Sequence, residues 1–187
     1  MMKRALLLAF CLLLPLLAGC SREPPFSFSI RWGVSGPGSG SSYDSATGVL
    51  VKTTQASDPS KYRAVLKLNR REREELCRLA EQIDFFRIPQ SPEKYDPYAE
   101  REGETRLWTK PSMFVEVSVT QDGSARTVRC VGIPPVLLSP PWETSEGDPV
   151  PQDENGEKFE SFVRSALGMI FESEEWQSLS EYEILYQ

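Results

Sequence analysis

The stretch from Val115 to Val131 leaves this chain of 187 residues little freedom. Val115, Val117 and Val119 alternate with Glu116 and Ser118, Asp122-Gly123 follows, and Ala125 to Val131 makes a second extended run. A period of two sends successive side chains to opposite faces of a strand. Asp-Gly is a preferred two-residue hairpin turn, because both positions take positive φ. Counting outward from the turn pairs Gln121 with Ser124, Val117 with Val128, Val115 with Cys130 and Glu116 with Arg129. Apolar side chains then meet on one face and opposite charges meet on the other, and this double agreement specifies the register. The fold must contain an antiparallel hairpin with one buried face.

The remaining pattern extends that hairpin into a domain. Phe26, Phe28, Ile30, Trp32 and Val34 alternate with Ser27, Ser29, Arg31 and Gly33, which predicts another half-buried strand. The Gly- and Ser-rich residues 35–42 read as a loop, 43–52 as a hairpin turning at Ala46-Thr47-Gly48, and 62–68 as a further strand. Asn69 followed by Glu72 approximates a capping box, and Leu76, Leu79, Ala80 and Ile83 form one stripe, so a helix is expected over 70–84. Phe159, Phe162, Val163, Ala166, Leu167 and Ile170 predict a second helix over 157–171, and Ser173 caps a short third one containing Trp176 and Leu179. Residues 90–103 read as a polar loop, 105–108 as a short strand, and 132–156, with six prolines, as an irregular excursion. The expected fold is α+β: an antiparallel sheet built from hairpins with two main helices packed on one face. The order of these elements resembles domains of unassigned activity in bacterial secreted proteins, across residues 26–180, and that resemblance implies no function.

The amino terminus has a different character. Lys3 and Arg4 precede an apolar run from Leu6 to Leu17, too short to span about 30 Å of hydrocarbon. A cationic start, a short apolar run and small residues after it form the secretory signal pattern. Leu17-Ala18-Gly19-Cys20 resembles the lipobox of bacterial lipoproteins. The resemblance implies cleavage before Cys20, diacylation of its thiol and, with Ser21 next, sorting toward an outer membrane where the cell has one. Two or more acyl chains give stable anchoring where one is marginal. The expected organisation is a cleaved signal over 1–19, a lipidated tether over 20–25 and one α+β domain over 26–187. The mature protein would sit outside the cytoplasm with a lipid anchor in the membrane.

Charge narrows the partners. Removing 19 of 187 residues leaves 168, enough for a real core, and takes Lys3 and Arg4 with it, so the net charge moves from −6 to −8. That argues against nucleic acid as a partner and fits either ordinary solubilising charge or the binding of a basic envelope protein. The chain has no histidine, which removes the commonest general base and the commonest transition-metal ligand. No cofactor and no metal site is expected.

The candidate sites are few. Cys77 lies at the edge of the helical stripe and Cys130 points to the buried face of the hairpin. A helix packed there would permit a disulfide closing a loop of 54 residues, worth roughly 4 kcal/mol in the chain-entropy account. Two buried thiols are the alternative. Tyr95, Tyr98 and Arg101 form a candidate binding loop, since exposed Tyr and Arg favour interfaces. Glu143, Glu146, Asp148, Asp153 and Glu154 make an acidic loop without the spacing of an EF-hand. Asp84, Glu100 and Glu116 are carboxylates available to a glycan hydrolase, but nothing marks a pair. The leading expectation is a membrane-tethered protein-binding or accessory module, with an inhibitor or immunity protein as its sharper form. A carboxylate-dependent glycan hydrolase and a purely structural lipoprotein are the competing readings.

Overall fold

The computed structural model describes residues 26–34, 40–52, 59–89, 113–131, 151 and 153–180. The signal and lipobox with Cys20, the tether through residue 25, the Tyr95, Tyr98 and Arg101 loop, the strand expected at 105–108 and most of the proline-rich excursion lie outside them.

Six strands form one antiparallel sheet: β1 (Ser27–Val34), β2 (Ser41–Asp44), β3 (Val49–Val51), β4 (Arg63–Val65), β5 (Met113–Gln121) and β6 (Ser124–Val131). Their spatial order is β4-β3-β2-β1-β5-β6, so β1 sits at the centre beside β5, its partner across the longest sequence gap. The β5–β6 register is the expected one in all four pairs named above. Asp122 and Gly123 both take positive φ, as the two-residue turn requires.

The expected loop over 35–42 is shorter at its far end, because Ser41 and Ser42 already pair with β1 and β3. The strand expected over 62–68 is regular only over Arg63–Val65, matching the three-residue length of its neighbour β3, and is flanked by bonds from the Lys52 amide to the Tyr62 carbonyl and from the Leu66 amide to the Gly48 carbonyl. Its alternation continues beyond that: Leu66 and Leu68 are buried, and Lys67 is exposed.

The helices pack on one face. Helix α1 (Arg70–Gln82) begins in a full capping box: the Glu72 amide donates to Asn69 Oδ1 at 3.0 Å and the Asn69 amide donates to Glu72 Oε2 at 2.7 Å. It ends at Ile83, and Asp84 turns the chain with φ of 53°. Helix α2 (Glu154–Glu172) starts one turn earlier than the apolar stripe indicated. Asp153 makes that start, accepting from the Gly156 amide at 2.9 Å. Helix α3 (Glu174–Ser178) is capped by Ser173 as expected.

Phe28, Ile30, Val115, Val117 and Val119 of the sheet share one core with Leu76 and Ala80 of α1 and Phe159, Phe162, Leu167 and Ile170 of α2. Phe162 makes an edge contact with Phe28 at 6.0 Å, and Phe85, just after α1, packs on Phe162 at 5.5 Å. The far corner of this core is aromatic. Trp32, Phe171 and Trp176 pack edge-on or tilted with ring centroids 5.0–5.9 Å apart. Lys52, only 9% exposed, brings its ammonium 5.1 Å over the Trp176 ring and donates to the Leu179 carbonyl at 3.2 Å, closing the end of α3.

Candidate functional site

The second face of the sheet carries a different chemistry. Residues on it follow the phase opposite to the core, and register aligns Arg63, Val51, Ser42, Arg31, Glu116 and Arg129 in one row across all six strands. No described helix packs on this face; the helical residues of the core lie on the other side.

Glu116 is the hub of the row. Arg31 Nη1 lies 3.3 Å from its Oε1, and Arg129 Nη1 lies 3.7 Å from its Oε2. The Glu116–Arg129 pair is the one the hairpin register predicted; the Arg31 contact depends on β1 lying against β5. Both guanidinium groups also stand over the Phe114 ring, Arg31 at 5.9 Å and Arg129 at 5.3 Å from its centroid. A ring face attracts a cation within about 6 Å.

Phe114 itself belongs to the polar phase of β5, yet it is 3% exposed. Its cross-strand partner is Gly33, and a Cβ on Gly40 would stand 3.2 Å from its ring. Gly33 and Gly40 have φ of 135° and 104°, and a Cβ on Gly33 would meet the Gly40 Cα at 3.0 Å. An aromatic ring laid over glycines shields a backbone that has no side chains to cover it. Phe114 thereby fixes the floor on which the two arginines rest. Sequence reading missed this residue, because a phenylalanine out of phase with Val115, Val117 and Val119 is explained only by the glycines opposite it.

The arginine side chains remain accessible, 53% for Arg31 and 45% for Arg129, whereas Glu116 is 22% exposed. Arg63 is exposed and has no ionic partner among the described residues. The row thus presents three cations against one partly covered carboxylate, on a chain whose net charge is −6. Such an arrangement can accept carboxylates or other oxyanions through the guanidinium N–H groups that Glu116 does not engage.

The expected disulfide is not formed: the structure holds Cys77 and Cys130 as separate thiols. Both face assignments were right, but facing says nothing of position along the strand. Cys77 lies 3.9 Å from Glu81 Oε1, which accepts from Gln121 Nε2 at 2.7 Å, so Cys77 stands by the Asp122-Gly123 turn. Cys130 is six residues along β6 from Ser124, the partner of Gln121. At about 3.3 Å per residue that is roughly 20 Å, far beyond the 7 Å that a disulfide tolerates between Cα atoms. Burial raises the Cys77 thiol pKa, and the Glu81 carboxylate adds to the rise.

Two carboxylates considered for glycan hydrolysis are set apart by the sheet. Asp84 follows α1 on the helical side, 3.1 Å from Arg87, and Glu116 faces away from the helices. Glu100 lies outside the described residues. Among the described residues no group of three or more Cys, Asp or Glu side chains gathers as metal ligands, and no helix is long and apolar enough to cross a membrane. Comparison of the chain with protein-family models, with curated proteins and with solved structures finds no match.

Proposed function

We propose that this protein is a lipid-anchored lipoprotein of the bacterial envelope, held through Cys20, whose α+β body serves as a protein-binding or accessory module. The anchor rests on the Leu17-Ala18-Gly19-Cys20 motif behind a cationic, apolar leader. Ser21 favours the outer membrane, facing the periplasm, in a cell that has one. The observation that carries the binding role is the open sheet face, where Arg31 and Arg129 are fixed by Glu116 and Phe114 yet remain half accessible. Arginine and aromatic residues dominate binding energy at protein interfaces, and fixed side chains lose less entropy on docking. A net charge of −8 after removal of residues 1–19 adds long-range attraction for a partner that is basic overall, as an inhibitor or immunity protein would use against a secreted enzyme.

Metabolic labelling with radioactive palmitate tests the anchor. The wild-type chain should incorporate label and fractionate with membranes, and Cys20→Ser should do neither. Label retained by Cys20→Ser would overturn the lipoprotein assignment. Release of soluble fragments from purified peptidoglycan by the mature protein would overturn the binding role in favour of hydrolysis.

A further inference from the structure

We infer that the open face of the sheet is a docking surface for an acidic patch on a partner protein, with Arg31, Arg63 and Arg129 as the receiving groups. The inference rests on the binding-module reading and names the chemistry of its partner. Strands in a sheet are about 4.8 Å apart, so the backbones at Arg31 and Arg63, three strands apart, stand about 14 Å from one another, while the Arg31 and Arg129 guanidinium groups converge on the one Glu116 carboxylate. That spacing suits carboxylates on one protein surface. Between the cations lie small or half-buried side chains, Ser42 and Val51, which let a partner approach closely.

Other occupants fit less well. A second copy of this chain docking through the same face would set arginine rows against each other, and like charges facing across an interface are costly. A glycan would need an exposed ring for sugar stacking, but among the described residues the aromatic side chain on this face, Phe114, is 3% exposed beneath the two arginines. An anionic bilayer offers about 1 kcal/mol per surface cation, against the field of a body whose net charge without residues 1–19 is −8. A protein partner resolves the two charge signals. Its overall field can be basic while the patch that docks is acidic, since contacts within a Debye length of about 8–10 Å are governed by local groups.

The test uses the detergent-solubilised mature lipoprotein and a fluorescein-labelled oligoglutamate peptide, followed by anisotropy at about 0.15 M salt, where the Debye length is about 8 Å. The triple variant Arg31→Gln, Arg63→Gln, Arg129→Gln should bind the peptide at least about tenfold more weakly, equivalent to about 1.4 kcal/mol. The control Arg71→Gln, Arg73→Gln, Arg78→Gln removes the same charge from the exposed face of α1 and should change affinity less than about threefold. Circular dichroism of both variants checks that they are folded. Equal loss in both variants, or no peptide binding by the wild type, would overturn the inference. Polyphosphate or phosphatidylglycerol vesicles binding through the same three arginines while oligoglutamate does not would overturn the choice of a protein partner. Because the assay needs no acyl chain, its failure leaves the palmitate result untouched.

Discussion

Gly40→Ala should be among the most damaging single-methyl additions to this fold, and its cost can be worked from the backbone. Gly40 has φ of 104°, a region that L-residues rarely adopt, which costs about 1–3 kcal/mol. The added Cβ would also stand 2.7 Å from the Trp32 carbonyl oxygen and 3.2 Å from the Phe114 ring. The first contact is with backbone of the central strand β1, which cannot swing aside, so strain adds to the conformational cost and the total should reach about 3 kcal/mol. In a domain of this size 1 kcal/mol moves the melting temperature by about 2–4 °C, so the midpoint should fall by about 6–12 °C. Gly123→Ala is the matched control: φ is 79°, but a Cβ there would meet nothing within 4 Å. It should cost about 1–2 kcal/mol, the left-handed penalty alone. Urea unfolding of both variants, followed by tryptophan fluorescence, measures the difference. If Gly40→Ala costs no more than Gly123→Ala, the close packing of Gly33, Gly40 and Phe114 described above is wrong.

Other outcomes follow from single features. Tyr43 is buried with its hydroxyl donating to the Leu66 carbonyl at 3.2 Å, and burial pushes its pKa up to about 12. The unfolded chain ionises this phenol near pH 10 while the folded one keeps its proton, so stability should be full below pH 10 and fall as pH rises toward about 12; Tyr43→Phe should flatten that fall in urea titrations across the window. Asn69→Ala removes one half of the capping box and should cost about 1 kcal/mol by the same unfolding assay. Lys52→Met keeps most of the side-chain volume but leaves the Leu179 carbonyl without its ammonium donor; a loss of about 1–3 kcal/mol is expected, with faster amide exchange in α3 as the local readout. Iodoacetamide should label Cys77 in the native protein, faster as pH rises, and Cys130 only after unfolding, as mass analysis would show; a bonded pair resisting alkylation in both states would contradict the geometry.

What the sequence made legible was local and doubly constrained. The Val115–Val131 register could be read because both faces and the turn agreed, and Asn69 with Glu72 marked a helix start through a hydrogen-bond pattern that needs only four residues. The start of α2 was hidden because Asn155 and Gly156 look like loop residues, while the Asp153 side chain supplies the cap that admits them. The disulfide expectation failed because periodicity gives a face and not a height along the strand. The row of Arg31, Glu116 and Arg129 was half legible: one pair came from the hairpin, but placing Arg31 in it needs β1 to cross more than eighty residues of chain and lie on β5. Phe114 could not be understood at all without the two glycines brought under it by tertiary structure.

Site-specific photocrosslinking in intact cells tests the binding-module account most directly. A photoreactive residue at Thr127, exposed on the open face of β6, is compared with one at Arg71 on the outer side of α1. The account predicts one discrete crosslinked protein from position 127, absent from position 71 and lost when Arg31, Arg63 and Arg129 are all replaced by Gln. No product at position 127, or the same products from both positions, would contradict it.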